Sequence, residues 1–168
     1  FGLFVALLLV ETAAPRHPIP GGRVRHVLRH FALNALNLLL YGGFAWLAAR
    51  IGSMQQHHPF GLLHWLSLPS VISLPLGLLL LDLCDYSFHR LEHQVPLLWR
   101  LHRVHHTDPG LDVTTSLRTH PLALICCWLY MQAGLCFIGG PQWLLVLYFG
   151  IGAFWPARAA ARLCSFSR

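Results

Sequence analysis

The sequence predicts an all-α fold: an integral membrane helical bundle with a histidine-rich helical cap on its cytoplasmic side. Three observations predict it. The chain is 55% hydrophobic with 11% charged residues and a mean hydropathy of +0.54, whereas a soluble domain carries about a quarter charged residues. Its apolar residues are gathered into runs, two of which cover a bilayer core about 30 Å thick at about 1.5 Å of helix rise per residue. Its twelve basic residues, all arginine, flank those runs. The 168 residues read as one membrane domain, 1–168, with apolar segments at 1–14, 31–49, 60–81, 122–138 and 141–157. The polar segment 82–121 lies between the third and fourth of them.

The opening run, 1–14, has no basic lead, so it reads as part of a membrane helix rather than as a secretory signal. Segments 31–49 and 60–81 reach spanning length without an internal charge. The second contains Pro69 and Pro75, which predicts a kinked span whose freed carbonyls are satisfied by neighbouring helices or serines. Segments 122–138 and 141–157 are shorter and are separated by Gly139 and Gly140, as in a tight helical hairpin that spans with local thinning or dips into the bilayer. If the first run ends in the cytoplasm, then 15–30, 82–121 and the tail after Ala157 are cytoplasmic, and they hold eleven of the twelve arginines, leaving Arg50. That bias places 82–121 in the cytoplasm. The all-arginine usage suits a GC-rich genome, and the expected location is a bacterial inner membrane. Nucleic acid is excluded as a partner because the arginines do not form a dense stripe interleaved with aromatics. The cysteines Cys84, Cys126, Cys127, Cys136 and Cys164 show no CxxC pair and are assigned no chemistry.

Six of the twelve histidines fall within DLCDYSFHRLEHQVPLLWRLHRVHHTDPGLDVTTSLRTHP, residues 82–121. If the preceding helix continues out of the membrane, about 100° per residue puts Asp85, His89 and His93 on one stripe, with Asp82 in the same arc. Pro96 ends that helix and suits the first turn of another, in which His102 pairs with His105 and His106. Two short ligand-bearing helices then face each other across a turn. Neutral imidazole suits iron, zinc or copper, and Asp85 either ligates directly or fixes a histidine tautomer from behind. Any one of these histidines alone is more simply a solvated side chain; HRLEH and HRVHH together point to metal. His57 and His58 lie in the opposite loop. His17, His26 and His30 sit among interfacial arginines, and both groups read as ordinary polar residues. His64 reads as an interfacial ring bonded to a backbone carbonyl, and Tyr86 and Trp99 as interfacial anchors. Thr114, Thr115 and Arg118 either shape the site or cap the returning helix.

The HxxxH box of His89 and His93, Trp99 ahead of the HxxHH box of His102, His105 and His106, and the T-x-x-R-x-H-P segment from Thr115 to Pro121 together resemble the fatty acid hydroxylase and sterol desaturase superfamily. The resemblance is dense over about forty residues. It implies a non-haem di-iron centre that uses dioxygen and takes electrons from a reductase, ferredoxin or cytochrome. It also implies hydroxylation or desaturation of a fatty acyl chain, sterol or similar lipid. The implied metal ligands are His89, His93, His102, His105 and His106, with His120 as a further candidate and Asp85 as supporter. Where the family usually has a glutamate after H-P, this chain has Ala123, and 149–168 contains no further HxxHH box. The expectation is therefore a chain truncated before the last box, with a non-catalytic remnant holding one structural metal or none as the alternative. A membrane metal-binding or transport protein is the other alternative. It requires ionisable residues along successive spans, where only His64, Asn34 and Asn37 occur.

Overall fold

The structure, a computed structural model, describes residues 2–13, 21–108, 110 and 112–152. Among the described residues seven α-helices follow one another: α1 (Gly2–Ala13), α2 (Arg23–His57), α3 (Leu62–Leu66), α4 (Ser70–Gln94), α5 (Pro96–His106), α6 (Pro121–Ile138) and α7 (Gln142–Gly152). A short 3-10 helix, Val113–Leu117, precedes α6. Among the described residues there is no strand. The all-α fold expected from the sequence is therefore observed. Among the described residues three stretches are long and apolar enough to cross a bilayer, Arg23–Leu66, Ser70–Gln94 and Pro121–Ile138, while the apolar helix Gln142–Ile151 is shorter. This is a membrane protein.

The run 60–81 is broken rather than kinked. Ser67 adopts a left-handed conformation with φ 48, and Pro69 is extended, with φ −60 and ψ 148. Proline lacks an N–H to continue the ladder and disfavours helical geometry in the residue before it. The span therefore starts afresh at Ser70, and only Pro75 lies inside a helix. Starting there, the 25 residues of α4 extend about 37 Å, several ångströms more than a bilayer core. Its last turns, with His89 and His93, belong outside the apolar layer. Val95 is extended and Pro96 opens α5, so the chain folds back after a single non-helical residue.

Leu81, Met131, Leu135, Ile138, Leu144 and Leu145 form the buried core between α4, α6 and α7. In lipid there is little hydrophobic drive between helices, so close backbone approach has to supply the packing. The tightest approach joins Gly61 (φ 111) to Gly139 (φ 78), where a Cβ on Gly61 would stand 2.4 Å from the Gly139 Cα. Gly139 also ends α6 in the left-handed region, which turns the chain into α7. On the outside, Leu39, Val71, Phe137 and Val146 are each more than 70% exposed, as expected of side chains that face acyl chains. Asn37, fully buried, donates from Nδ2 to the Thr119 carbonyl at 3.1 Å. It ties α2 to the segment that leads into α6.

Candidate metal centre

Two helical pairs meet across the α4–α5 turn. His89 and His93 are one turn apart on α4, and His102 and His106 one turn apart on α5. Packed against each other, the helices bring all four rings together. Ring centroids are 4.8 Å apart for His89 and His93, 4.8 Å for His89 and His102, 4.9 Å for His93 and His106, and 4.9 Å for His102 and His106. The Nε2 atoms of His102 and His106 are 3.0 Å apart. One nitrogen from each of the four rings lies within 4.8 Å of the others. A divalent ion about 2.1 Å from each nitrogen separates neighbouring donors by about 3 to 4 Å. Small ring rotations therefore convert this cluster into a coordination shell.

Glu92 supplies the carboxylate behind the rings. It is buried, and its Oε2 lies 3.1 Å from His102 Nδ1 and 3.6 Å from His89 Nδ1. A carboxylate at Nδ1 holds the ring hydrogen on that nitrogen and leaves Nε2 free to bind a metal, the usual arrangement behind a ligating histidine. The Trp99 indole packs on the same cluster, 5.2 Å from the His93 ring and 5.6 Å from the His106 ring. The expected interfacial anchor is thus a wall of the site, whereas Tyr86 is exposed and accepts from Arg90 at 3.4 Å. Burial, and then the neighbouring His102 ring, lower the pKa of both His105 and His106. Both rings are thereby biased toward the neutral form that ligates.

The other sequence-derived candidates are placed differently. His105 is outside the four-ring group. Its ring centroid is 6.0 Å from that of His102 and 5.4 Å from that of His106, and its ring bonds the Thr115 backbone. His120 caps α6, accepting at Nδ1 from the Leu122 amide at 3.2 Å. Asp85 accepts from the Tyr148 hydroxyl at 2.8 Å, so the carboxylate in contact with the rings is Glu92. Arg118 donates to the Val104 carbonyl at 2.8 Å, tying the end of α5 to the segment ahead of α6.

Sequence reasoning also missed a second group, His26, His30 and Asp108, whose donor atoms converge within 4.8 Å in the interior. The available signal was the spacing: His26 and His30 repeat the four-residue interval of His89 and His93. His17 lies outside the described residues.

Both groups are of a composition that holds transition-metal ions, and the four-imidazole group fits iron by donor type. The fatty acid hydroxylase family profile matches residues 74–160, just over half of the chain. Alkylglycerol monooxygenase of Homo sapiens is 29% identical over 70 residues, covering 42% of this chain and 16% of that protein. The Danio rerio alkylglycerol monooxygenase is 33% identical over 69 residues, covering 40% of this chain and 16% of that protein. The chain thus matches only a small part of the length of these relatives. No solved structure matches it. With the HxxxH and HxxHH boxes converging as described and the profile covering α4 to α7, the chain belongs to the fatty acid hydroxylase family.

Proposed function

We propose that this chain is the metal-bearing membrane domain of a non-haem di-iron oxygenase that hydroxylates or desaturates a lipid-like substrate. The observation that carries the reading is the convergence of four imidazoles at the end of a membrane-length helix. His89, His93, His102 and His106 hold one ion. His105, the nearest further imidazole, is assigned to the second, with His120 as an additional candidate and Asp85 supporting the Tyr148 side of α4. Bound iron supplies the redox chemistry with dioxygen that an unactivated C–H bond requires, using electrons from an external reductase, ferredoxin or cytochrome.

The chain's own residues do the rest. Glu92 orients His102 and His89, Trp99 closes one wall against water, and the exposed apolar surface of α4 lets a lipid approach laterally from the bilayer. The substrate class is a fatty acyl chain, a sterol or a similar lipid. The names of the relatives make alkylglycerols the first lipid to test. The arginine distribution supports an inner-membrane protein with the histidine cluster in the cytoplasm, where metal and reductant are supplied.

The test is anaerobic loading with Fe(II) in detergent, followed by elemental analysis of the wild-type chain and of the His89→Ala/His93→Ala variant. The variant should lose the iron of this cluster; unchanged loading contradicts the assignment. Mass spectrometry of lipids from expressing cells should show products that have gained one oxygen atom or lost two hydrogens. Neither product should appear with the variant.

A further inference from the structure

The second histidine cluster is built around an electrostatic conflict that a cation resolves. His30 is 1% exposed, and its Nδ1 lies 2.7 Å from Thr114 Oγ1. The Thr114 hydroxyl gives its single hydrogen to Asp112 Oδ1 at 2.6 Å, because an ionised carboxylate can only accept. It must therefore accept from His30, so the His30 hydrogen sits on Nδ1 and Nε2 presents a bare lone pair. That lone pair faces Asp108 Oδ2 across 3.4 Å, acceptor against acceptor.

His26 meets the same carboxylates. Its Nε2 is buried without a hydrogen-bond partner, as is Asp112 Oδ2. The His26 Nε2 is 3.7 Å from Asp108 Oδ1 and 3.8 Å from Asp112 Oδ2. Charge accumulates in the same sense. Glu11 and Asp112 both pair with Arg23, at 3.7 Å and 3.6 Å, while the Asp108 side chain is fully buried and accepts from the Gly110 amide at 3.1 Å and from the Thr115 hydroxyl. Glu11, Asp108 and Asp112 face two guanidinium groups, Arg23 and the Arg118 that also acts on His30, so the carboxylates still outnumber the fixed cations by one.

Protonated histidines are one remedy, but a charge-assisted N–H···O bond closes to about 2.7 to 2.9 Å. The observed separations are wider. Neighbouring corners of a tetrahedral shell stand about 3.3 to 3.5 Å apart when each ligand is about 2.0 to 2.1 Å from the ion; the His30–Asp108 pair has that spacing, and the two His26 pairs, at 3.7 and 3.8 Å, are a few tenths of an ångström wider. We propose that His26, His30, Asp108 and Asp112 bind one divalent cation of the zinc class. The ion fastens the start of α2 to the segment between α5 and α6. Its burial makes it a structural ion without an open position.

This site shares no residue with the four-ring cluster, so the two can be read separately. A full-length chain in which His89, His93, His102 and His106 are all alanine would be exposed to Zn²⁺ in detergent, dialysed and analysed. About one zinc per chain should remain. Its X-ray absorption should show two imidazole rings with oxygen donors completing the shell. Adding His26→Gln and His30→Gln should remove that zinc. Absence of retained zinc from the first variant, or retention after the second change, overturns the proposal. If the second variant does not fold, the absorption spectrum of the first still decides, because an oxygen-only shell contradicts the assignment. Loss of iron at the four-ring cluster would leave this result unchanged.

Discussion

The two histidine clusters start from the same helical device, an imidazole pair one turn apart, and end in opposite environments. His89 and His93 meet His102 and His106 at an accessible end of the bundle, with one buried carboxylate, Glu92, behind them. His26 and His30 meet Asp108 and Asp112 in the interior, where each carboxylate is held by hydroxyls or amides. The first arrangement leaves open space beside four imidazole donors. The second encloses charge and fixes helix positions. Spacing within a helix selects which rings point the same way, but the partner brought in from elsewhere decides what they do.

The contrast can be broken first at Thr114, which both accepts from His30 and donates to Asp112. Thr114→Val strands the buried His30 Nδ1, at about 1 to 3 kcal/mol, while Asp112 Oδ1 keeps the Thr114 amide and loses one of its two donors. Thermal unfolding in detergent should shift down by several degrees, while iron at the four-ring cluster is retained. An unchanged unfolding temperature would show that the interior cluster fastens nothing. A smaller effect, confined to the other region, is expected at Glu92. Glu92→Gln keeps the shape but removes the charge behind His102 and His89, and such changes weaken metal binding about 10-fold or somewhat more. Competition with a chelator should show that loss at the four-ring cluster alone. Equal weakening at both clusters would mean that they are not independent.

Much of the four-ring cluster was legible because its information is local. The unbroken helix through His93, the restart at Pro96 and the i, i+4 pairing on each side all follow from helical periodicity and proline chemistry, and α4 and α5 have those boundaries. Glu92 was not legible as the supporting carboxylate. The stripe through His89 and His93 favoured Asp85, and only the packing of α5 shows which acid meets the rings. The break at Ser67 was equally hidden. Pro69 marked a disturbance, but the left-handed serine that turns a kink into a chain break has no sequence signal of comparable strength. His26 and His30 read as ordinary interfacial residues because their partner Asp108 is some eighty residues away. No pattern within α2 shows that a carboxylate will be delivered there.

The most direct test of the account is iron K-edge X-ray absorption on the Fe(II)-loaded chain carrying His26→Gln and His30→Gln, which isolates the cluster at the α4–α5 turn. Convergence of His89, His93, His102 and His106 predicts a nitrogen-rich shell near about 2.1 Å with multiple-scattering features of several imidazoles. A shell of oxygen donors alone, or a spectrum unaltered when His89 and His93 are also replaced by alanine, would contradict it.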